Sequence, residues 1–140
     1  MNIVMDSNVL FSALISETDT RNLILEYNGL FLMPEFVLEE IDEHIEELLE
    51  KSGMDRKDFM ELLRFVLKKV LVVPNKVLFP YKEKALEIVK NIDIDDVLFF
   101  ACALAQSNSV IWSDDKKLKS QMFVVILNTT EIARILMDDL

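Results

Sequence analysis

Glycine, proline, cysteine and histidine are all scarce here: two glycines, three prolines, one cysteine and one histidine in 140 residues. So little glycine and proline excludes a disordered or low-complexity chain. The lone Cys102 excludes an internal disulfide framework, and a reducing interior is the simple expectation. It lies in FFACALA, which reads as a buried, inert thiol rather than a nucleophile. With one His and one Cys, no zinc ligand set can be assembled. No apolar run is long enough to span a bilayer, and the start lacks a basic region followed by a signal-like core. The expectation is a soluble cytoplasmic protein. Positive charge is short too. Against 25 acids stand 15 bases, a formal net charge of −10. That argues against a generic phosphate-coating binder, which needs a basic surface. It leaves room for a nucleic-acid enzyme in which divalent metals neutralise clustered acids. Lys68 and Lys69 in LKKV, and Lys116, Lys117 and Lys119 in KKLK, read as solvated lysines before they read as strand guides.

What is abundant is apolar: 51% of the residues are hydrophobic, enough for a sizeable core in one domain over residues 1–140. NIVM (2–5) reads as a buried strand and residues 7–15 as a helix. TDTRNLILEYN is a second helix, with Thr18 or Asp19 as its start signal. LFLM is a second strand. Pro34 suits a first helical turn. From there to about residue 51, Val37, Leu38, Ile41, Ile45, Leu48 and Leu49 form one stripe, and Ser52 and Gly53 end it. A helix near 55–69 completes a helical hairpin inserted between strands. VLVV (70–73) is a short strand, and YKEKALEIVKN a helix. The helix after Asp96 is apolar all round, so it should be central and buried. VIW (110–112) and FVVIL (123–127) are strands. The terminal helix NTTEIARILMDDL carries a capping-box pattern, Asn128 with Glu131. Continuous apolar strands alternating with helices predict a three-layer α/β/α domain with a parallel sheet of about four to five strands.

In open parallel sheets, sites form beyond the carboxyl ends of the strands. Asp6 follows the first strand, and Asp114 and Asp115 follow VIW. Parallel strands put both junctions on one edge. Asp93, Asp95 and Asp96 open the buried helix, which starts at an edge too. Each acid alone is at least as well explained by capping or a turn. Together they are harder to explain so, because converging carboxylates repel one another unless they bind cations. An oxygen-rich cluster suits Mg²⁺ or Mn²⁺. Glu40 and His44, four apart, share one flank of their helix's apolar stripe, with Glu39 on the other flank and slightly further out. His44 reads as a solvated neighbour. Phe99 and Phe100 read as core, and Trp112 as either core or a base-stacking surface.

IVMDSNVLFSALI, PEFVLEEIDEH, IDIDDVLFFACALA and VIWSDDKKL come in the order and spacing of the PIN-domain nucleases, a family that includes VapC-type toxins. The sequence resembles that family along nearly its whole length. The resemblance implies a compact parallel sheet, a pocket of three or four acids, one or two Mg²⁺ or Mn²⁺ ions, and hydrolysis of RNA phosphodiesters. By position it assigns Asp6, Glu40, Asp96 and Asp115 as metal-binding catalytic acids. It assigns Ser7 and Asn8 as supports for Asp6, and Ser113 as support for Asp115. Many relatives carry a further acid two positions after the fourth. Here that position is Lys117, so either Asp114 compensates or a second metal binds weakly. The tandem pairs Glu39/Glu40, Asp95/Asp96 and Asp114/Asp115 each leave one residue of ambiguity.

The expected activity is therefore a metal-dependent endoribonuclease acting on single-stranded RNA. The resemblance further implies a homodimer and, if the chain is the toxin of a toxin–antitoxin pair, a small antitoxin partner. The alternative is a catalytically weak or inactive module on the same fold that binds nucleic acid or protein. Phosphoryl-transfer folds with Asp after a strand match poorly. Dehalogenase-like phosphatases expect a second Asp where this chain has Asn8, and receivers expect paired early acids and a later strand-end Lys.

Overall fold

The computed structural model describes residues 1–138. Five short strands form one all-parallel sheet: β1 (Asn2–Met5), β2 (Phe31–Pro34), β3 (Val70–Val73), β4 (Ser109–Trp112) and β5 (Val125–Leu127), in the spatial order β3-β2-β1-β4-β5. β1 is central. Its Ile3, Val4 and Met5 are buried, as are Phe31, Leu32 and Met33 of β2. Continuous apolar strands are what a sheet covered on both faces requires. The chain lays β2 and β3 on one side of β1, then returns to lay β4 and β5 on the other.

Seven α-helices cover the sheet among the described residues: α1 (Ser7–Ile15), α2 (Asp19–Glu26), α3 (Phe36–Ser52), α4 (Arg56–Leu67), α5 (Asn75–Val89), α6 (Val97–Ala105) and α7 (Thr129–Asp138). α1 to α4 pack among themselves and α7 packs on α2, while α5 and α6 pack together, with α6 lying against β1, β2 and β4. Right-handed crossovers running in opposite directions put the two groups on opposite faces. The result is the expected three layers, with α3 and α4 as the expected hairpin between β2 and β3. No helix among the described residues is long and apolar enough to cross a membrane. The predicted buried helix is α6: Phe99, Phe100, Ala101, Cys102 and Ala103 are all buried.

Several boundaries differ from expectation. Pro34 ends β2 instead of opening a helix. The Glu35 N–H still reaches the Val73 carbonyl at 3.1 Å, so the ladder closes one residue beyond the proline. α5 starts at Asn75, not near Tyr81, and runs through Pro80. Leu78 is buried together with Ala85 and Val89, which anchors the early turns, and Pro80 sits on the exposed side. β5 omits Phe123 and Val124. The Gln121 side-chain carbonyl accepts both of their backbone N–H groups, at 2.9 Å each, and its amide donates to the Val124 carbonyl, so those groups do not join a ladder. Gly53, at φ 68°, stops α3 in the left-handed conformation that glycine tolerates best.

At α7 the capping box is complete. The Glu131 N–H donates to Asn128 Oδ1 at 2.9 Å, and the Asn128 N–H donates to Glu131 Oε1 at 3.0 Å. Asp139 and Leu140, the end of the predicted terminal helix, lie outside the described residues. Replacing Asn128 by Ala leaves the Glu131 N–H without its acceptor, so Asn128→Ala should cost about 1 kcal/mol. Urea unfolding should show it as a lower midpoint with an unchanged slope.

Candidate metal-binding site at the carboxyl edge of the sheet

β1 and β4 run side by side in the register Met5↔Trp112, and the Asp6 N–H continues the ladder to the Trp112 carbonyl at 3.2 Å. Asp6 and Ser113 therefore emerge together from adjacent strands. This is where the strand order reverses, since β2 and β4 flank β1 and their connections leave toward opposite faces. Such a switch point opens a crevice at the carboxyl edge.

Asp6 is 5% exposed and caps α1, its Oδ1 accepting the Val9 N–H at 2.9 Å. The same carboxyl thus caps a helix and lines the cleft. Burial pushes its carboxyl above the usual range. Hydrogen bonds from Ser113 and the Val9 N–H pull it down, and the charges of Asp114 and Asp115 push it up. Ser7, the first residue of α1, donates its hydroxyl to Glu40 Oε1 at 2.7 Å. With that contact Glu40 faces the cleft, while Glu39 is exposed. A cleft of about 460 Å³ is lined by Asp6, Ser7, Asn8 and Glu40, by Asp93, Asp95 and Asp96 from the loop before α6, and by Phe36 and Phe99.

In the loop before α6, Asp93 accepts the Asp95 N–H at 3.0 Å and shapes a short 3-10 turn, Ile94–Asp96. The turn leaves Asp96 half-buried with no capping bond of its own. Burial, then the charges of Asp93, Asp6 and Asp115, raise its pKa to about 7, with Lys117 opposing. Asp93 goes the other way, held below the usual carboxylate range by the Lys117 ammonium and the Asp95 N–H. Asp95 is exposed, so of that pair Asp96 is the one set among other acids. Carboxylate oxygens of Asp93, Asp96 and Asp115 all lie within 4.8 Å of one another. Asp96 joins the two halves: it lines the cleft with Asp6 and Glu40 and clusters with Asp93 and Asp115.

Asp115 follows β4 and is steadied by its N–H donating to Ser113 Oγ at 3.1 Å. Asp114 turns away. Its oxygens accept the Thr129 N–H at 2.8 Å and the Thr129 hydroxyl at 2.7 Å, which anchors α7. Trp112 donates its ring N–H to the same hydroxyl at 3.0 Å and is fully buried, so it is core. Asn8 lines the cleft, and His44 stands outside it beside Glu47 and Phe11. Sequence reasoning counted Asp93 among the acids opening α6 and Lys117 as a departure from the acidic set, and gave neither a role in the site. In the structure Lys117 Nζ lies 2.9 Å from Asp93 Oδ2, and Asp93 clusters with Asp96 and Asp115.

Residues 4–135 match the PIN domain family. The chain belongs to the PIN-domain family. No curated protein matches it in sequence. Among solved structures, this PIN domain is similar to the VapBC2 complex of Rickettsia felis bound to a DNA fragment from its promoter. The TM-score is 0.67 at 17% identity, covering 91% of this chain and 98% of that one. At that identity the likeness shows the fold.

The donor set fits a divalent cation of the hard class that PIN domains generally use: the donor atoms lining the cleft are carboxylate, hydroxyl and amide oxygens, with no His or Cys among its lining residues. The crowding also has a sign for stability. A folded-state pKa raised from 3.8 to about 7 means the folded protein keeps a proton that the unfolded chain releases. This group's contribution is best at acid pH and is lost as pH rises through about 7. The loss accrues between about pH 3.8 and 7, so in chelator-treated protein Asp96→Asn should be clearly stabilising at pH 8 and less than half as much so at pH 5. After discounting for partial exposure the gain is on the order of 1 kcal/mol. That corresponds to roughly 3–5 °C in Tm, read by differential scanning calorimetry at both pH values.

Proposed function

We propose that this PIN domain is a metal-dependent endoribonuclease that hydrolyses phosphodiester bonds in single-stranded RNA. The observation carrying the proposal is Asp96, half-buried with a raised pKa among Asp6, Asp93 and Asp115. Carboxylates held so close are stabilised by a cation. Asp6, Glu40 and Asp96, with Asp115 at the rim, would hold one or two Mg²⁺ or Mn²⁺ ions. A bound divalent ion of this kind acidifies a water and offsets charge on a leaving oxygen.

The chain's own residues support a water nucleophile. The Cys102 thiol is buried and pushed up to about 12, so it is not a thiolate at neutral pH. The Ser7 hydroxyl is committed to Glu40, and the single His is outside the cleft. Asp6 and Glu40 are positioned from below, by the α1 N-terminus and by Ser7 respectively. Asp96 closes the 3-10 turn and immediately precedes the buried α6, which fixes its backbone. Phe36 and Phe99, in edge-to-face contact with ring centroids 5.3 Å apart, give the cleft an apolar lining.

Membership of the PIN family supports nuclease chemistry, and the VapBC2 likeness supports a toxin role with a small antitoxin partner. RNA as substrate, a homodimer and cytoplasmic location belong to the same reading. The rival is a binding module on this fold without effective metal binding, which the Lys117 ion pair with Asp93 favours.

Purified protein with Mn²⁺ or Mg²⁺ should cleave labelled single-stranded RNA and stop on chelation. Asp6→Asn and Asp96→Asn should each lower the rate by about 100-fold or more while the protein stays folded. Cleavage that survives both substitutions equally would sink the assignment.

A further inference from the structure

We propose that the Lys117 ammonium is a built-in cation that fills the outer half of the acidic cluster, so that the site takes one divalent ion rather than two. The inference rests on the metal-site reading above and sharpens it. Lys117 Nζ lies 2.9 Å from Asp93 Oδ2 and 3.6 Å from Asp115 Oδ2. Those carboxylates are two of the three whose oxygens cluster within 4.8 Å. The lysine is also held at its backbone, since its N–H donates to Asp115 Oδ1 at 3.2 Å. Backbone and side chain thus converge on one acid, and the short turn Lys116–Ser120 delivers the ammonium to the rim.

Among the described residues no ammonium is paired with the inner acids. Asp6 and Glu40 are bonded there to a backbone N–H and a serine hydroxyl, and Lys117 reaches Asp96 through its charge without an ion pair. An ion on the inner acids meets no ammonium bonded to its ligands. An ion on the outer acids must first displace an ammonium from two of its ligands. Paired metals in hydrolytic sites lie about 3.5–4 Å apart, so a fixed positive charge in that space repels the second ion directly. An ammonium carries one charge and cannot coordinate a water. Lys117 therefore balances the outer acids without supplying a second nucleophile site.

Mn²⁺ titration followed by electron paramagnetic resonance of the free ion, with calorimetry in parallel, reads the stoichiometry without reference to activity. The parent chain should bind one ion. Lys117→Met should bind two, the second at least about tenfold tighter than any further ion on the parent. Lys117→Arg, which keeps the charge, should return to one. Circular dichroism checks that each variant is folded. Two ions on the parent, or one on Lys117→Met, would overturn the inference while leaving the metal site standing. A parent chain that binds none would remove the metal site and this inference together.

Discussion

The pairing of β1 with β4 is the constraint on which the rest of the site depends. Four consecutive residue pairs, Asn2↔Ser109 to Met5↔Trp112, lock the register. A slip of one residue would exchange the side chains of the two faces and set each into a layer packed for another. That penalty is enforced by Ile3, Val4, Met5, Ile111 and Trp112, each buried. The core therefore fixes which two residues stand side by side where the strands end, and these are Asp6 and Ser113. Everything else is brought to this pair. α6 crosses behind the sheet and presents Asp96 at its start, and α3 leaves β2 with Glu40 on its near flank.

The cost of this convergence is electrostatic, and neighbouring acids bear it unequally. Asp6 is the most buried but has α1 behind it, so a helix N-terminus and a backbone N–H offset part of the desolvation. Asp93 is more open and has both Lys117 and a backbone N–H, so its carboxyl stays ionised. Asp96, three residues on, has burial and like charges without a capping bond. The strain collects at that one residue. A local penalty of this kind is tolerable in a chain whose core runs from Ile3 through Leu136. It is also typical of sites kept for chemistry rather than for stability.

The fold was largely legible because its signals are local. Apolar runs bounded by polar junctions marked all five strands, and the stripe on α3 and the Asn128/Glu131 pair marked helix and cap. The misses came from contacts between distant residues. Gln121 satisfies the backbone that would otherwise extend β5, and burial of Leu78 carries α5 through Pro80. The family resemblance, not residue patterning alone, assigned Asp6, Glu40, Asp96 and Asp115; the structure brings Asp6, Glu40 and Asp96 to one cleft, Asp115 to a cluster with Asp93 and Asp96, and Ser7 to Glu40 rather than Glu39. Asp114 could not be separated from Asp115 by sequence, since only the position of Thr129 shows which one anchors α7. Lys117 looked like a gap in the acidic set. Its side chain, 24 positions from Asp93 in sequence, makes it part of the set instead.

The overall charge gives that lysine more weight. A chain of formal charge −10 has no general attraction for a polyanion. Its other clustered lysines are largely engaged: Lys119 pairs with Glu131, Lys69 donates to the Tyr27 carbonyl, and Lys68 lies over the Phe65 ring. On the nuclease reading proposed above, phosphate recognition would be short-ranged and local to the cleft. Lys117 is the ammonium that the described residues place among the acids. An arrangement of this kind discriminates by fit, because a backbone gains little until it is close enough for a phosphate to reach the rim. On the reading proposed above, long-range steering, the usual means by which basic nucleases collect substrate, would give way to a neutralising pair of charges, the Lys117 ammonium and one divalent ion.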